Sequence, residues 1–333
     1  HNFFNLPLPF LSLQYLHQKP TKGQLMRLLN IGSINIDYVY QVEHFLRAGE
    51  TLEATRRDIF MGGKGLNQSV AAVRSGLNVN HAGVLGKDGL FILDFIKSVG
   101  IDTRFLTVND TVPSGHTVIQ VTPDAENAIL YFAGTNHLIT KEHLCRALDD
   151  LTPGDWVLMQ NEVNGVPDIL SEAKKRGLHT VFNPAPFSDE VLSYPLELVD
   201  VLIVNETEAE GILQTQEKDP EVLLDKLRAR LPHAHLFLTL GSKGMICELS
   251  GPVPYRRLFP AYKVQAVDTT AAGDTFVGYA IGAVMTYFEH GRIEDFEKRI
   301  DEAMLAAAIC VTQAGAVPSI PDIKEVRKQK VQL

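Results

Sequence analysis

Cysteine is scarce in this sequence, three residues in 333, at Cys145, Cys247 and Cys310. Their wide spacing matches neither C-x-x-C nor a Cys/His zinc pattern, which argues against a disulfide framework or structural zinc and makes a reducing cytoplasm the simplest setting. Long apolar runs are missing too: no stretch approaches the roughly 18 to 20 residues that a membrane-spanning helix requires. Positive charge is in deficit, with 31 Lys and Arg against 40 Asp and Glu and a formal charge of −9. That balance disfavours broad attraction to nucleic acid or an anionic membrane and leaves small molecules as the expected partners. Repeats, low-complexity tracts and Pro/Ser-rich linkers are also lacking, so one domain carrying a lid is the economical organisation.

What is present is an ordinary globular composition, 45% hydrophobic, ample for a substantial core. The apolar stretch Leu6–Leu16 is interrupted by Pro7 and Pro9, with no basic segment before it and no small-residue cleavage site after it, so a signal peptide is not expected. Met26 stands directly before the first strand-like run. Residues 1–25 are therefore set apart as an N-terminal extension, and residues 26–333 as the folded unit.

From Met26 onward, short β-rich runs alternate with helical spacing. Arg27–Ile31, Val79–Leu85, Trp156–Met159, Thr180–Phe182, Val201–Val204 and Leu236–Leu240 read as buried strands. Leu66–Leu77, Leu90–Val99, Val166–Arg176, Pro220–Leu231 and Asp274–Tyr287 read as helices. This rhythm predicts an α/β fold: a doubly wound, mainly parallel sheet with helices on both faces. Asp37–Phe60 and Ser114–Ala133 break the rhythm with alternating or β-rich runs that lack intervening helices, as expected for antiparallel strands, and are read as a small accessory sheet.

Two segments could carry chemistry. Asp268-Thr269-Thr270-Ala271-Ala272-Gly273-Asp274-Thr275-Phe276 precedes the apolar run Val277–Met285. Small residues let backbone approach a ligand closely, and N–H groups at a helix start stabilise anionic charge, so Ala271, Ala272 and Gly273 form a candidate anion hole. Asp274 beside it is a candidate base for an attacking hydroxyl. Equally, the same carboxylate would serve simply as a cap on the helix dipole. Gly62-Gly63-Lys64-Gly65-Leu66-Asn67-Gln68 offers a cation and two amides to polyol hydroxyls, or else a turn before a helix with Lys64 in solvent. It is not a P-loop, because Lys64 is followed by Gly65 rather than Ser or Thr.

Together, in this order, the two segments resemble the paired signatures of the ribokinase-like (PfkB-type) carbohydrate kinases. The resemblance extends through Gly32-Ser33-Ile34-Asn35-Ile36-Asp37, Asn183-Pro184-Ala185-Pro186, Asn205-Glu206-Thr207-Glu208-Ala209-Glu210 and Thr239-Leu240-Gly241-Ser242-Lys243-Gly244, nearly everything after residue 26. It implies ATP-dependent phosphorylation of a sugar, D-ribose at its 5-hydroxyl first, with 2-deoxyribose, another furanose or a nucleoside as rivals. A catalytically silent sugar-binding regulator is the alternative of another class. By the same resemblance Asn35, Asp37, Gly63, Lys64, Asn67 and Glu162 fall where the family holds the sugar, and Asp274 at the catalytic base. Asn205, Thr239, Gly241, Ser242, Gly244, Gly273 and Met304 fall at the nucleotide, Met304 replacing a common His or Asn. Glu208 is implied for Mg2+ with ATP, and Asp268, Thr270, Cys310, Gln313, Gly315 and Ser319 for an activating K+. Read without the resemblance, Asp37 could terminate a strand, Glu162 could be solvated, Asn205 and Glu208 could cap a helix, and Thr239–Gly244 could be a tight turn. The exposed edges of a small sheet lead to a further expectation, a homodimer formed through the lid.

Overall fold

The computed structural model describes residues 26–124, 126–251 and 255–331; the extension assigned to residues 1–25 lies outside the described residues. Two sheets organise the chain. The larger has nine strands in the order β13-β12-β11-β10-β9-β8-β1-β4-β5. Its parallel strands are β1 (Leu28–Ile31), β4 (Val79–Gly86), β5 (Asp102–Asn109), β8 (Trp156–Gln160), β9 (His179–Asn183), β10 (Val201–Asn205) and β11 (His235–Thr239). The antiparallel strands β12 (Met245–Leu249) and β13 (Tyr255–Phe259) extend one edge.

Alternation along the central strands explains the layering. Trp156 and Leu158 of β8, Val201 and Ile203 of β10 and Phe237 of β11 point into one core, whereas Val157, Met159, Leu202, Val204, Leu236 and Leu238 point into the other. The first core is closed by α1 (Lys64–Arg74), α2 (Leu90–Ser98), α7 (Ala272–His290), α8 (Ile293–Cys310) and α9 (Ile323–Lys330). The second is closed by α3 (Lys141–Asp149), α4 (Val166–Lys175), α5 (Glu206–Leu213) and α6 (Pro220–Arg230). Strands apolar on both sides need helices on both sides, which is why these runs read as continuous hydrophobic segments. No helix of the described residues is long and apolar enough to cross a membrane.

The smaller sheet has the order β3-β2-β6-β7, from β2 (Asn35–Gln41), β3 (Arg56–Gly62), β6 (Gly115–Val121) and β7 (Asn127–Phe132). These are the two regions read as an accessory sheet, with one difference: β2 and β6 run parallel, since they belong to separate excursions from the large sheet. Ile129, Leu130, Tyr131 and Phe132 of the edge strand β7 are exposed, Leu130 at 71%.

Candidate active site

Five strand ends converge at the carboxyl edge of the large sheet, where ligands bind in open α/β folds. After β1 the chain passes through Gly32 and Ser33 into the small sheet; Gln160, Asn183, Asn205 and Thr239 end β8, β9, β10 and β11. The N-termini of α1, α5 and α7 start at the same edge, presenting N–H groups and positive dipole ends. A cavity of about 210 Å³ lies here, lined among others by Lys64, Asn205, Glu208, Thr239, Gly273 and Asp274.

Asp274 sits in the first turn of α7 and is 8% exposed. Asn67 Nδ2 donates to its Oδ2 and Gln68 Nε2 to its Oδ1, each at 2.9 Å. Sequence reading offered both amides to substrate hydroxyls; the structure turns Gln68 inward to the carboxylate. The helices approach closely enough for this because Gly278 faces α1: a Cβ there would lie 2.4 Å from Ala71 Cβ and 2.7 Å from Gln68 O. Ahead of Asp274, Ala271 adopts left-handed φ 60, uncommon for a residue with a side chain, and so turns the chain sharply into α7.

Charge is concentrated around the cavity. The Asp274 carboxylate raises the Lys64 ammonium above its usual range; burial opposes this, and Glu162 and Glu208 reinforce it. Glu162 accepts hydrogen bonds from Ser33 Oγ at 2.5 Å and Lys64 N at 3.1 Å. Burial pushes the Glu162 carboxyl up despite Lys64 nearby. Asn35 and Asp37, assigned to the sugar by resemblance, lie on the small sheet and outside the cavity lining. Asp37 on β2 lies opposite Thr117 on β6, whose hydroxyl donates to Asp37 Oδ1 at 2.6 Å. Burial raises the Asp37 carboxyl, and the Thr117 bond partly offsets it. Gly62 must lack a side chain, since a Cβ would meet Asp37 Oδ2 at 1.9 Å. Asn35 Oδ1 accepts from Asn136 Nδ2 at 2.7 Å, and Gly63 is the residue from which α1 starts.

Asn205 and Glu208 form a capping box on α5: Asn205 Oδ1 accepts from Glu208 N at 2.8 Å, and Glu208 Oε2 accepts from Asn205 N at 3.0 Å. The pair thus caps a helix and lines the cavity at once, and burial raises the Glu208 carboxyl. Gly241, Ser242 and Gly244 form the turn after β11, outside the cavity lining. Met304 packs in the core and does not line the cavity either.

Of the residues assigned to a monovalent cation, Asp268 clasps two segments, accepting from Thr270 N and Gly315 N at 2.9 Å each. Burial works against the Asp268 carboxylate, but the Thr270 and Gly315 hydrogen bonds outweigh it and hold its pKa below the ordinary value. Cys310 Sγ lies 3.6 Å from Thr270 O and 3.0 Å from Ser319 Oγ, while Gln313 is exposed. Among the described residues no group of three or more His, Cys, Asp or Glu side chains converges on a metal position.

With this geometry in hand, comparison with known proteins is decisive. The family model described as pfkB family carbohydrate kinase matches residues 26–323. The chain belongs to that family. Among curated relatives of this pfkB-family chain, a ribokinase of Haemophilus influenzae is 36% identical over 310 residues, covering 89% of this chain and 95% of the relative. A deoxyribokinase of Salmonella typhi is 32% identical over 314 residues, covering 90% and 97%. Among solved structures, a ribokinase of Cryptococcus neoformans var. grubii serotype A in complex with ADP superposes with a TM-score of 0.78 at 31% identity, covering 91% of this chain and 99% of that one.

Thr117, Asn136 and Gln160 escaped the sequence reading, and Ser33 stood inside a quoted segment without a role of its own. Thr117 and Asn136 stand in or beside the predicted accessory sheet without a motif of their own, and only strand pairing brings them to Asp37 and Asn35.

Proposed function

We propose that this sugar kinase transfers the γ-phosphoryl group of ATP to the 5-hydroxyl of D-ribose, with Asp274 as general base. The observation that carries the reading is the Asp274 carboxylate, held through both oxygens at the mouth of α7 and facing a cavity shared with Lys64. Asp274 would accept the hydroxyl proton as that oxygen attacks phosphorus in line and the bond to the β-phosphate breaks. N–H groups of Ala271, Ala272 and Gly273 would stabilise charge developing on the transferred group, and Lys64, which lines the same cavity, would help neutralise it. Asn35, Asp37, Gly63, Asn67 and Glu162 would hold the sugar. Asn67 Oδ1, buried without a protein partner, is an acceptor suited to a hydroxyl.

The nucleotide would lie along Asn205, Thr239 and the Gly241–Gly244 turn. Glu208, a buried carboxylate beside Lys64, fits a magnesium ion carried with ATP, which would shield phosphate charge while taking other ligands from phosphate and water. Carbonyl and hydroxyl oxygens around Asp268, Thr270, Gln313, Gly315 and Ser319, with Cys310 beside them, would suit K+. The exposed apolar strand β7 supports a homodimer formed through the small sheet, which light scattering would detect.

The deoxyribokinase relative supports 2-deoxyribose as a second acceptor. ADP release should be measured with D-ribose, 2-deoxyribose and nucleosides, with and without K+. Ribose-dependent turnover that Asp274→Asn lowers by about 10² to 10⁴ supports the reading. Preference for another acceptor replaces the substrate, and no turnover with any acceptor makes the chain a silent binder.

A further inference from the structure

Behind the base lies a chain of buried amides, and in three of them, Asn30, Gln160 and Gln68, both N–H hydrogens have an acceptor. Asn30, Gln68 and Gln160 are fully buried. Asn30 Nδ2 donates to Gly65 O at 2.7 Å and to Ser69 Oγ at 2.8 Å. Gln160 Nε2 donates to Asn30 Oδ1 at 3.0 Å and to Gln68 Oε1 at 2.7 Å. Gln68 Nε2 then donates to Asp274 Oδ1 and to Asn183 Oδ1, each at 2.9 Å. Asn183 Nδ2 in turn donates to Ile203 O at 2.9 Å.

A side-chain amide can point either way, but a backbone carbonyl only accepts. Gly65 O therefore dictates the sense of Asn30, Asn30 Oδ1 dictates Gln160, and Gln160 Nε2 dictates that Gln68 presents its oxygen away from Asp274. Ile203 O dictates the same sense independently through Asn183. Reversing Gln68 would set its oxygen against the Asp274 carboxylate and the Asn183 oxygen together, while two NH2 groups would meet at Gln160. Gln160 Oε1 remains buried without a partner, the local cost of keeping this sense throughout.

We propose that Gln68 is a positioning residue for the transfer reaction, locked by the Asn30–Gln160 relay and by Asn183 so that it always offers an N–H to Asp274. The inference rests on the reading of Asp274 as the base. Gln68 fixes one carboxylate oxygen and Asn67 the other, so only the lone pairs these two amides leave over serve the cavity, and Gln68 has no charge of its own to change as pH varies. A side-chain amide does not ionise near neutral pH and so takes up no proton, and the proton taken from the substrate stays at the cavity side of Asp274.

The test uses the full chain and steady-state ADP release over a pH series, with far-UV circular dichroism and a thermal melt on each variant. Gln68→Leu should lower kcat about a hundredfold with KM for sugar and ATP held within about twofold. Gln160→Leu should lower kcat about fivefold, yet add nothing in the Gln68→Leu background, because it acts only through Gln68. Gln68→Glu keeps the side-chain volume and sets a second carboxylate beside Asp274; the acid limb of its kcat profile should move up by about one pH unit. Equal losses from Gln160→Leu in both backgrounds, or a Gln68→Glu profile with an unmoved limb, overturn the proposal. Should Gln68→Leu fail to fold, the Gln68→Glu profile decides alone. Asp274→Asn separates the two readings: if it stays active the base assignment fails, whereas if it is inactive and the Gln68 variants are unaffected only the relay fails.

Discussion

His81 on β4 offers a stability measurement whose size follows from its surroundings. It is fully buried, its Nε2 lies 3.1 Å from Gly32 O and its Nδ1 2.8 Å from Ser69 Oγ. A carbonyl accepts, so Nε2 carries the proton and the ring is neutral, with Ser69 donating to Nδ1. Burial pushes the imidazole down from 6.5 to about 4. The unfolded chain thus takes a proton on this ring below pH 6.5 that the folded protein refuses until about pH 4. Stability from this residue is present in full above the unfolded value and is lost as pH falls through that window, about 1.4 kcal/mol per pH unit and about 3 kcal/mol in all. Carboxylates titrate over part of the same range, so the assay is a difference: urea unfolding of the wild type and of His81→Gln between pH 7 and 4. Their stability difference should shift by about 3 kcal/mol in favour of the variant as pH falls. A difference that stays constant across the series would refute the claim that the ring is held neutral.

Other predictions concern packing and the sugar end of the site. Gly278→Val forces α1 and α7 apart; it should cost about 1–3 kcal/mol in thermal unfolding and lower kcat as well, because Asn67 and Gln68 ride on the displaced helix. Thr117→Val removes the hydrogen bond that opposes the upward shift of Asp37. Sugar KM should therefore rise more steeply in the variant than in the wild type as pH is lowered, with kcat little changed. Ala271→Gly relieves a left-handed residue at the cost of a more flexible unfolded chain; denaturant unfolding should find it neutral to about 1 kcal/mol more stable.

The central strands were legible because burial on both faces leaves uninterrupted apolar runs, as in Val201–Val204. Edge strands give no such signal: β5, DTRFLTVN, is half exposed, and the β12–β13 pair lies antiparallel outside the repeating rhythm. Helix α8 escaped because charged residues crowd its first half and its apolar side emerges only against α7. At the site, Asp274, Lys64 and the Asn205–Glu208 pair stood in compact local patterns. Their supports did not, since Gln160 meets Gln68 across 92 positions and Thr117 meets Asp37 across 80. Gln68 was visible, but its direction was not: which way its amide faces is decided by the backbone carbonyls of Gly65 and Ile203, reached through Asn30, Gln160 and Asn183.

The division of labour between the two sheets has a consequence for re-engineering. Asn35, Asp37 and Thr117 are carried by the small sheet, whereas Asp274, Gln68, Asn183 and Gln160 are anchored on the large sheet or its helices. The proposed acceptor contacts at Asn35 and Asp37 therefore rest on a different support from the proposed phosphoryl chemistry, whereas Asn67 and Glu162 sit with the large sheet and its helices; the two supports join at Gly62–Gly63 and through the Asn35–Asn136 bond. Libraries confined to the facing positions of β2 and β6 can explore new acceptor alcohols without touching Asp274 or the residues proposed to position it.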